Sequence, residues 1–172
     1  MTYTRLSLAA AVLLAATITT QAAGQSCTGN NCSVNNAASV SVPSVMRLTL
    51  STAATTLTNP TETAFDAGFQ DDAGPTATVK SNRPWNLTIA SQAATWTGTN
   101  GGRATKGAAD LQWKVGAGLL ASLNTTVSPV FGASQPATAS ASTAFSYRTV
   151  WSYAADVPGD YALVVVYTLT AP

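Results

Sequence analysis

The 172-residue sequence contains no histidine, a single glutamate and few charges of either sign. Without histidine the commonest general base is missing, and the usual serine-hydrolase triad and most zinc sites are excluded. Eight basic and seven acidic residues give a net charge of +1, which is not the basic excess on which nucleic-acid binding depends. The sequence also has no Gly-x-Ser-x-Gly elbow and no phosphate-binding loop. We therefore predict no catalytic residues, no enzyme activity and no nucleic-acid partner.

Cysteine is equally scarce, since Cys27 and Cys32 are the only two, separated by Thr-Gly-Asn-Asn. A redox motif has two intervening residues, and a metal site needs histidine or further cysteines. In an exported protein such a pair is typical of a disulfide that closes a small turn. We predict a Cys27–Cys32 disulfide that staples the N-terminal part of the chain and contributes about 2 kcal/mol on the chain-entropy model.

The first residues of the chain indicate export. Arg5 precedes an apolar run from Leu6 to Ile18, and small residues follow at Ala22 and Ala23. A basic start, an apolar centre and a small-residue cleavage site are typical of a secretory signal peptide. The run is shorter than the roughly 20 residues of a membrane-spanning helix. We predict a signal peptide over residues 1–23, no transmembrane segment after its cleavage, and a secreted or cell-surface location, with a bacterial host favoured.

The rest of the chain favours β-structure. The hydrophobic share of 46% opposes disorder, and the abundant Thr and Val are branched at Cβ and favour strands. Apolar and polar residues alternate with period two, as in half-buried strands, over residues 46–51, 76–80, 85–89, 111–115 and 145–151, and a last strand is predicted over residues 161–169. Seven or eight short strands predict an all-β, antiparallel immunoglobulin-like β-sandwich, with a jelly roll or barrel as the alternative.

The organisation of the mature chain follows from its turns. We predict an N-terminal extension over residues 24–43 and a single β-sandwich domain over residues 44–172. Within that domain, Ala53 to Pro75 is expected to be a long connection and Pro136 to Thr143 a low-complexity linker. The last strand has apolar residues on both faces, which is typical of a central strand or of one covered by another chain.

Three groups of residues are candidate sites. Asp66, Asp71 and Asp72 could supply the oxygen ligands of a Ca²⁺ ion, although their spacing fits a solvated acidic loop better, and no other cofactor is expected. Trp96 lies in a polar, glycine-rich context where an exposed ring could stack on a sugar, the alternative being an anchor tucked onto the core. The third group, Ala38, Val40 and Val42, alternates with small polar residues and is a candidate donor strand.

The C-terminal residues carry a family resemblance. The turn Pro158-Gly159-Asp160-Tyr161 and the strand Val165 to Leu169, behind a signal peptide and a neutral chain rich in Thr, Ala and Ser, resemble bacterial exported β-sandwich surface proteins of the fimbrial-subunit type. This resemblance implies that the extension of one subunit completes the sandwich of the next by strand addition. The donor would be Ala38 to Val42, and the C-terminal strand would belong to the acceptor sheet.

Two functions are therefore expected. The first is a non-enzymatic structural subunit of a filament, coat or matrix, which associates with its own kind or with other surface subunits by β-strand addition. The alternative is a monomeric secreted binding module for a ligand such as a carbohydrate, with Trp96 at its site.

Overall fold

Period-two alternation in the sequence becomes antiparallel β-structure in the computed structural model, which describes residue 24 and residues 26–172. The predicted signal peptide, residues 1–23, lies outside the described residues. The strands that are described are β1 (Met46–Leu50), β2 (Phe69–Ser81), β3 (Asn86–Ser91), β4 (Thr97–Thr99), β5 (Leu111–Val115), β6 (Ala121–Ser122), β7 (Ser128–Pro129), β8 (Thr138–Val150), β9 (Asp160–Ala162) and β10 (Val165–Thr170). The helix α1 (Glu62–Ala67) precedes β2, and a 3₁₀ turn (Ala108–Asp110) precedes β5.

The strands form three sheets. The largest has the order β1-β2-β8-β5-β6, the second the order β10-β3-β7, and the third pairs β4 with β9. Every pairing is antiparallel. Over residues 26–172 no sheet closes on itself, so the chain is all-β with open sheets and does not form the barrel considered as an alternative.

The two larger sheets share one apolar core. Alternate side chains of a strand point to the same face, and in this way Val79 of β2, Trp113 of β5 and Tyr147 of β8 meet Leu87 and Ile89 of β3. Each of these five residues is buried. The alternation seen in the sequence is therefore the alternation between core and solvent.

Two segments expected to be irregular are regular. Residues 53–75 were predicted to be a connection, but they contain α1 and the first part of β2. Residues 136–143 were predicted to be a linker, but from Thr138 onward they are the first half of β8. The strand parts of both segments form because β2 and β8 pair along almost their whole length, and strand pairing outweighs the weak intrinsic preference of small residues.

The C-terminal strand is also different from the prediction. It is divided into β9 and β10, with Leu163 and Val164 between them, and among the described strands β10 pairs only with β3. The prediction of a central strand was therefore wrong, since β10 is an edge strand, and coverage by another chain stays a prediction. Its two faces alternate as predicted, and the outward Val164 is 58% exposed.

The core position of Leu87 gives a first test of the fold. We expect Leu87→Ala, at a residue that is 2% exposed, to lower the free energy of unfolding by about 2–5 kcal/mol because the cavity left behind does not collapse. Leu119→Ala is the matched control, since Leu119 is 94% exposed and surface substitutions change stability by less than about 0.5 kcal/mol. Urea denaturation of both variants would contradict this fold if they lost equal stability.

Candidate functional site

The most unusual feature of the molecule is an open seam between two edge strands. β1 and β10 are outer strands of different sheets and approach each other, but they are not paired with each other. An edge strand leaves a row of backbone N–H and C=O groups without partners. Core-facing side chains of both strands are only partly buried: Met46, Leu48 and Leu50 on β1, and Val165, Tyr167 and Leu169 on β10. These six residues are called the open seam below.

A cavity of about 940 Å³ lies at one end of the open seam. Leu50 lines it from β1, and Val165 and Tyr167 line it from β10. Trp96 and Leu111, which belong to the buried core, also line it. Residues 52–60 and several residues between Trp151 and Val164 form most of the remaining lining, and Phe65, Pro75 and Tyr147 complete it.

Two uncharged tyrosines form part of the wall of the cavity. The hydroxyl groups of Tyr147 and Tyr167 are hydrogen-bonded to each other. Burial raises the pKa of Tyr147, and it raises the pKa of Tyr167 as well, with the neighbouring phenol adding to the effect. Both side chains are therefore neutral at physiological pH, and the part of the wall that they form accepts apolar groups without the cost of desolvating a charge.

Aromatic side chains form the rim of the cavity. Phe65 of α1 stacks on Tyr153 with ring centroids 4.9 Å apart, and it also contacts Trp151 at 5.9 Å. Trp151 in turn meets the edge of Tyr161 at 5.8 Å. This arrangement joins α1 to the loop that precedes β9, so the helix and the loop form one apolar rim.

A buried ion pair holds the loop that precedes β9 in place. Lys106 is 0% exposed, and its Nζ donates to the carbonyl oxygen of Val150 at 2.6 Å and to Asp156 Oδ1 at 3.1 Å. The ammonium also lies 4.3 Å from the centre of the Trp151 ring. Arg103 donates to the same carboxylate at 2.9 Å. Buried charges are tolerated when they are paired and hydrogen-bonded in this way. Here they connect residues 98–107, called the glycine-rich loop below, to the cavity rim.

The glycine-rich loop lies against the chain just before β9. A Cβ at Gly102 would come within 2.5 Å of the carbonyl oxygen of Asp160, so only glycine allows this close approach. The Asn100 side chain donates to the Asp160 carboxylate. The preceding residue, Thr99 of β4, is opposite Asp160 in the β4–β9 pair.

The candidate donor segment lies in an exposed, irregular part of the chain. Residues 26–45 are all exposed and belong to no strand or helix. Val40 is 87% exposed and Val42 is 76% exposed, and Ala38 is exposed as well. Cys27 and Cys32 are joined in a disulfide with their Cα atoms 5.8 Å apart, a normal separation for such a bond. An alternating apolar segment that forms no strand is suited to pairing with another sheet edge.

Trp96 is not placed for stacking on a sugar. It is 4% exposed and belongs to the core cluster, and its backbone N–H donates to the carbonyl oxygen of Lys106 at 2.8 Å. The role as a core anchor, given as the alternative from the sequence, is the one that its position fits. The ring nevertheless lines the cavity.

The three acidic candidates for Ca²⁺ are not brought together. Asp71 forms a two-bond ion pair with Arg148 at 2.6 and 2.7 Å, and Asp72 accepts two hydrogen bonds from Thr58. Asp71 and Asp72 are adjacent in β2, and adjacent residues of a strand point to opposite faces. Asp66 lies in α1, where its carboxylate accepts a hydrogen bond from the hydroxyl of Tyr153. In the part of the chain that is described, no group of three or more acidic, His or Cys side chains has the arrangement of a metal site.

Sequence reasoning missed two parts of this site. The first is β1 as the second wall of the open seam, although its alternation was visible. The second is the contact of Lys106 with Asp156, which are 50 positions apart. No local pattern marks a lysine in a glycine-rich loop as buried, because its partners are assembled by the fold alone.

Among the residues described, no helix is both long and apolar enough to cross a membrane. Comparison with known proteins found no family model that matches the chain and no curated protein similar to it in sequence. Function must therefore be inferred from the geometry of the chain itself.

The buried ion pair predicts how stability depends on pH. Burial alone would raise the pKa of Asp156, but hydrogen bonds from Arg103 and Lys106 outweigh it and hold that pKa below its ordinary value. A carboxyl with a lowered pKa in the folded state stabilises above its unfolded pKa of about 4, and this contribution is lost as the pH falls through the folded pKa.

We therefore expect Asp156→Asn to cost up to about 3 kcal/mol at neutral pH, because Lys106 and Arg103 lose their nearest charged partner and keep only the longer ion pairs with Asp110. The difference from the wild type should shrink as the pH falls below about 4. Asp160→Asn is the control, since Asp160 is exposed and forms no ion pair with the described residues. Thermal unfolding at several pH values would contradict this role if the two variants behaved alike.

Proposed function

We propose that the chain is an exported, non-enzymatic structural subunit of fimbrial type, which assembles with further copies by β-strand addition. Its all-β domain would be an immunoglobulin-like sandwich that lacks one strand. The observation that carries this proposal is that one chain contains both an open seam and an alternating apolar segment that forms no strand of its own.

The open seam has the features of an acceptor. A strand laid along it would find unpaired backbone groups on the edges of β1 and β10. Its inward side chains would cover the partly exposed side chains of the open seam. Burial of apolar surface stabilises by about 25 cal/mol per Å², so both the acceptor and the added strand would gain from the pairing.

The donor segment fits that requirement. Ala38, Val40 and Val42 fall on one face of an extended strand, and Ser39 and Ser41 fall on the other. The apolar residues are small or β-branched and suit a narrow space between two strands. Pro43 follows at once, and because proline has no backbone N–H it ends such a pairing.

The attachment of the segment favours a second copy as the acceptor. Asn82, just after β2, donates its side-chain amide to the carbonyl oxygen of Pro43 at 2.8 Å. Its backbone N–H donates to the carbonyl oxygen of Val45 at 3.2 Å. These bonds continue the β1–β2 ladder beyond Met46, so residues 43–45 extend past the end of the sheet and do not turn back along β1.

A pair of substitutions tests the donor role. We expect Val40→Asp to reduce polymer formation at least about tenfold, since a carboxylate on the inward face would have to be buried in the open seam. Ser41→Asp adds the same charge on the opposite face and should still polymerise. Light scattering and electron microscopy of the purified chains measure both, and equal polymerisation of the two variants would contradict strand donation.

A peptide tests the acceptor role separately. A synthetic peptide of residues 33–42, added in excess to the Val40→Asp chain, should raise its Tm by several degrees because ligands that bind only the folded state stabilise it. The same peptide with Val40 and Val42 replaced by Asp is the control. If neither peptide changes the Tm, the open seam does not accept this segment.

A further inference from the structure

Most of the charges that form no salt bridge lie toward opposite ends of the domain in this nearly neutral chain. Arg47 of β1 and Lys80 of β2 are directly opposite each other across the two strands, and both are exposed. They line a shallow groove of about 620 Å³ together with Asn82, and Arg83 follows immediately. Arg47, Lys80 and Arg83 are called the basic end.

The basic end is not neutralised within the chain. None of its three cations forms a salt bridge with another described residue. Like charges directly opposite each other on neighbouring strands are destabilising. The pairing of Arg47 with Lys80 therefore lowers the stability of the isolated subunit and would be relieved by carboxylates from outside.

All seven acidic residues lie toward the other end. α1 and the start of β2 carry four of them, the 3₁₀ turn before β5 carries Asp110, and the loop before β9 and its first residue carry Asp156 and Asp160. Asp71, Asp110 and Asp156 are paired with Arg148, Arg103 and Lys106. The remaining four form no salt bridge with any described residue and are called the acidic end: Glu62, Asp66, Asp72 and Asp160.

The two ends cannot neutralise each other inside one molecule. Between them lies the part of β2 from Asp72 to Lys80, eight residue steps, which corresponds to about 26 Å at roughly 3.3 Å per residue. The Debye length at physiological ionic strength is about 8 Å. Attraction between the ends therefore acts only where two molecules touch.

We infer that the basic end of one copy docks on the acidic end of the next, which orients the subunits head to tail. This inference rests on the proposed self-association and adds the contact surface and its polarity. The partner is a second copy, because the acidic and basic ends are complementary in sign and nearly equal in the number of unpaired charges.

The direction of strand addition agrees with this docking. Residues 43–45 leave the domain beside Asn82, at the basic end. The cavity at the end of the open seam is lined by Phe65 of α1 and by Asp160, so it opens at the acidic end. A donor segment that enters this cavity brings the basic end of its own domain against the acidic end of the acceptor.

The test separates docking from strand addition by blocking the latter in the full chain. Val40→Pro removes a backbone N–H from the exposed donor segment and should leave the domain folded but unable to donate a strand. In this background the apparent mass is measured by sedimentation equilibrium as a function of concentration, at about 20 mM and about 300 mM NaCl, which screen charges to different distances.

We expect self-association of the Val40→Pro chain at low salt and its loss at high salt. Lys80→Glu, at the basic end, should weaken this association about tenfold. Lys114→Glu is the matched control, because Lys114 is also on a strand without a salt bridge to the described residues but lies beside the start of β2, away from the basic end. Mixing Arg47→Glu/Lys80→Glu with Glu62→Lys/Asp66→Lys should restore association between the two variants.

The docking inference is overturned if the Val40→Pro chain shows no salt-sensitive association, or if Lys114→Glu weakens it as much as Lys80→Glu. It is overturned as well if the charge-swapped mixture fails to associate while each variant keeps the wild-type Tm. Strand addition is judged by the comparison of Val40→Asp with Ser41→Asp, so either hypothesis can fail while the other stands.

Discussion

An apolar core must be covered on every side, and in this molecule one side is left incomplete. The two larger sheets bury Leu87, Ile89 and Val79 almost completely, but where β1 and β10 approach each other the core-facing side chains are only partly buried. Because free strand edges and apolar side chains coincide there, the same strand could satisfy both the backbone hydrogen bonds and the hydrophobic burial. The cavity, the aromatic rim and the proposed assembly all depend on this one unfinished side.

The buried ion pair of Lys106 and Asp156 has a different role from the core. Taking two charges out of water is costly, and breaking such a pair is costlier than never having formed it. Here the pair, with Arg103 and the Trp151 ring, connects residues 103–106 to the loop over residues 150–156. Because these contacts are directional, they fix the position of the rim more specifically than a purely apolar contact would.

The unpaired surface charges also act only over short distances. The chain is close to neutral as a whole, which keeps long-range repulsion between copies small. The unpaired cations of the basic end and the unpaired carboxylates of the acidic end nevertheless lie toward opposite ends of β2, and screening confines their effect to direct contacts. A neutral subunit with oppositely charged ends can approach another copy in any orientation, but it gains electrostatic energy only where unlike ends meet.

The sequence by itself determined the all-β class, the position of β1, β3 and β5, the alternation of faces in the last strand, and the Cys27–Cys32 pair. These features are local, because period two and short loop closure are properties of neighbouring residues. Residues 69–75 and 138–143 became strand only because β2 and β8 pair with each other, and Trp96 and Lys106 became buried only because distant segments enclose them. The tertiary structure alone decided the edge position of β10, the open seam and the separation of charge, since these depend on which strands are neighbours, and strand order is not a property of any local pattern.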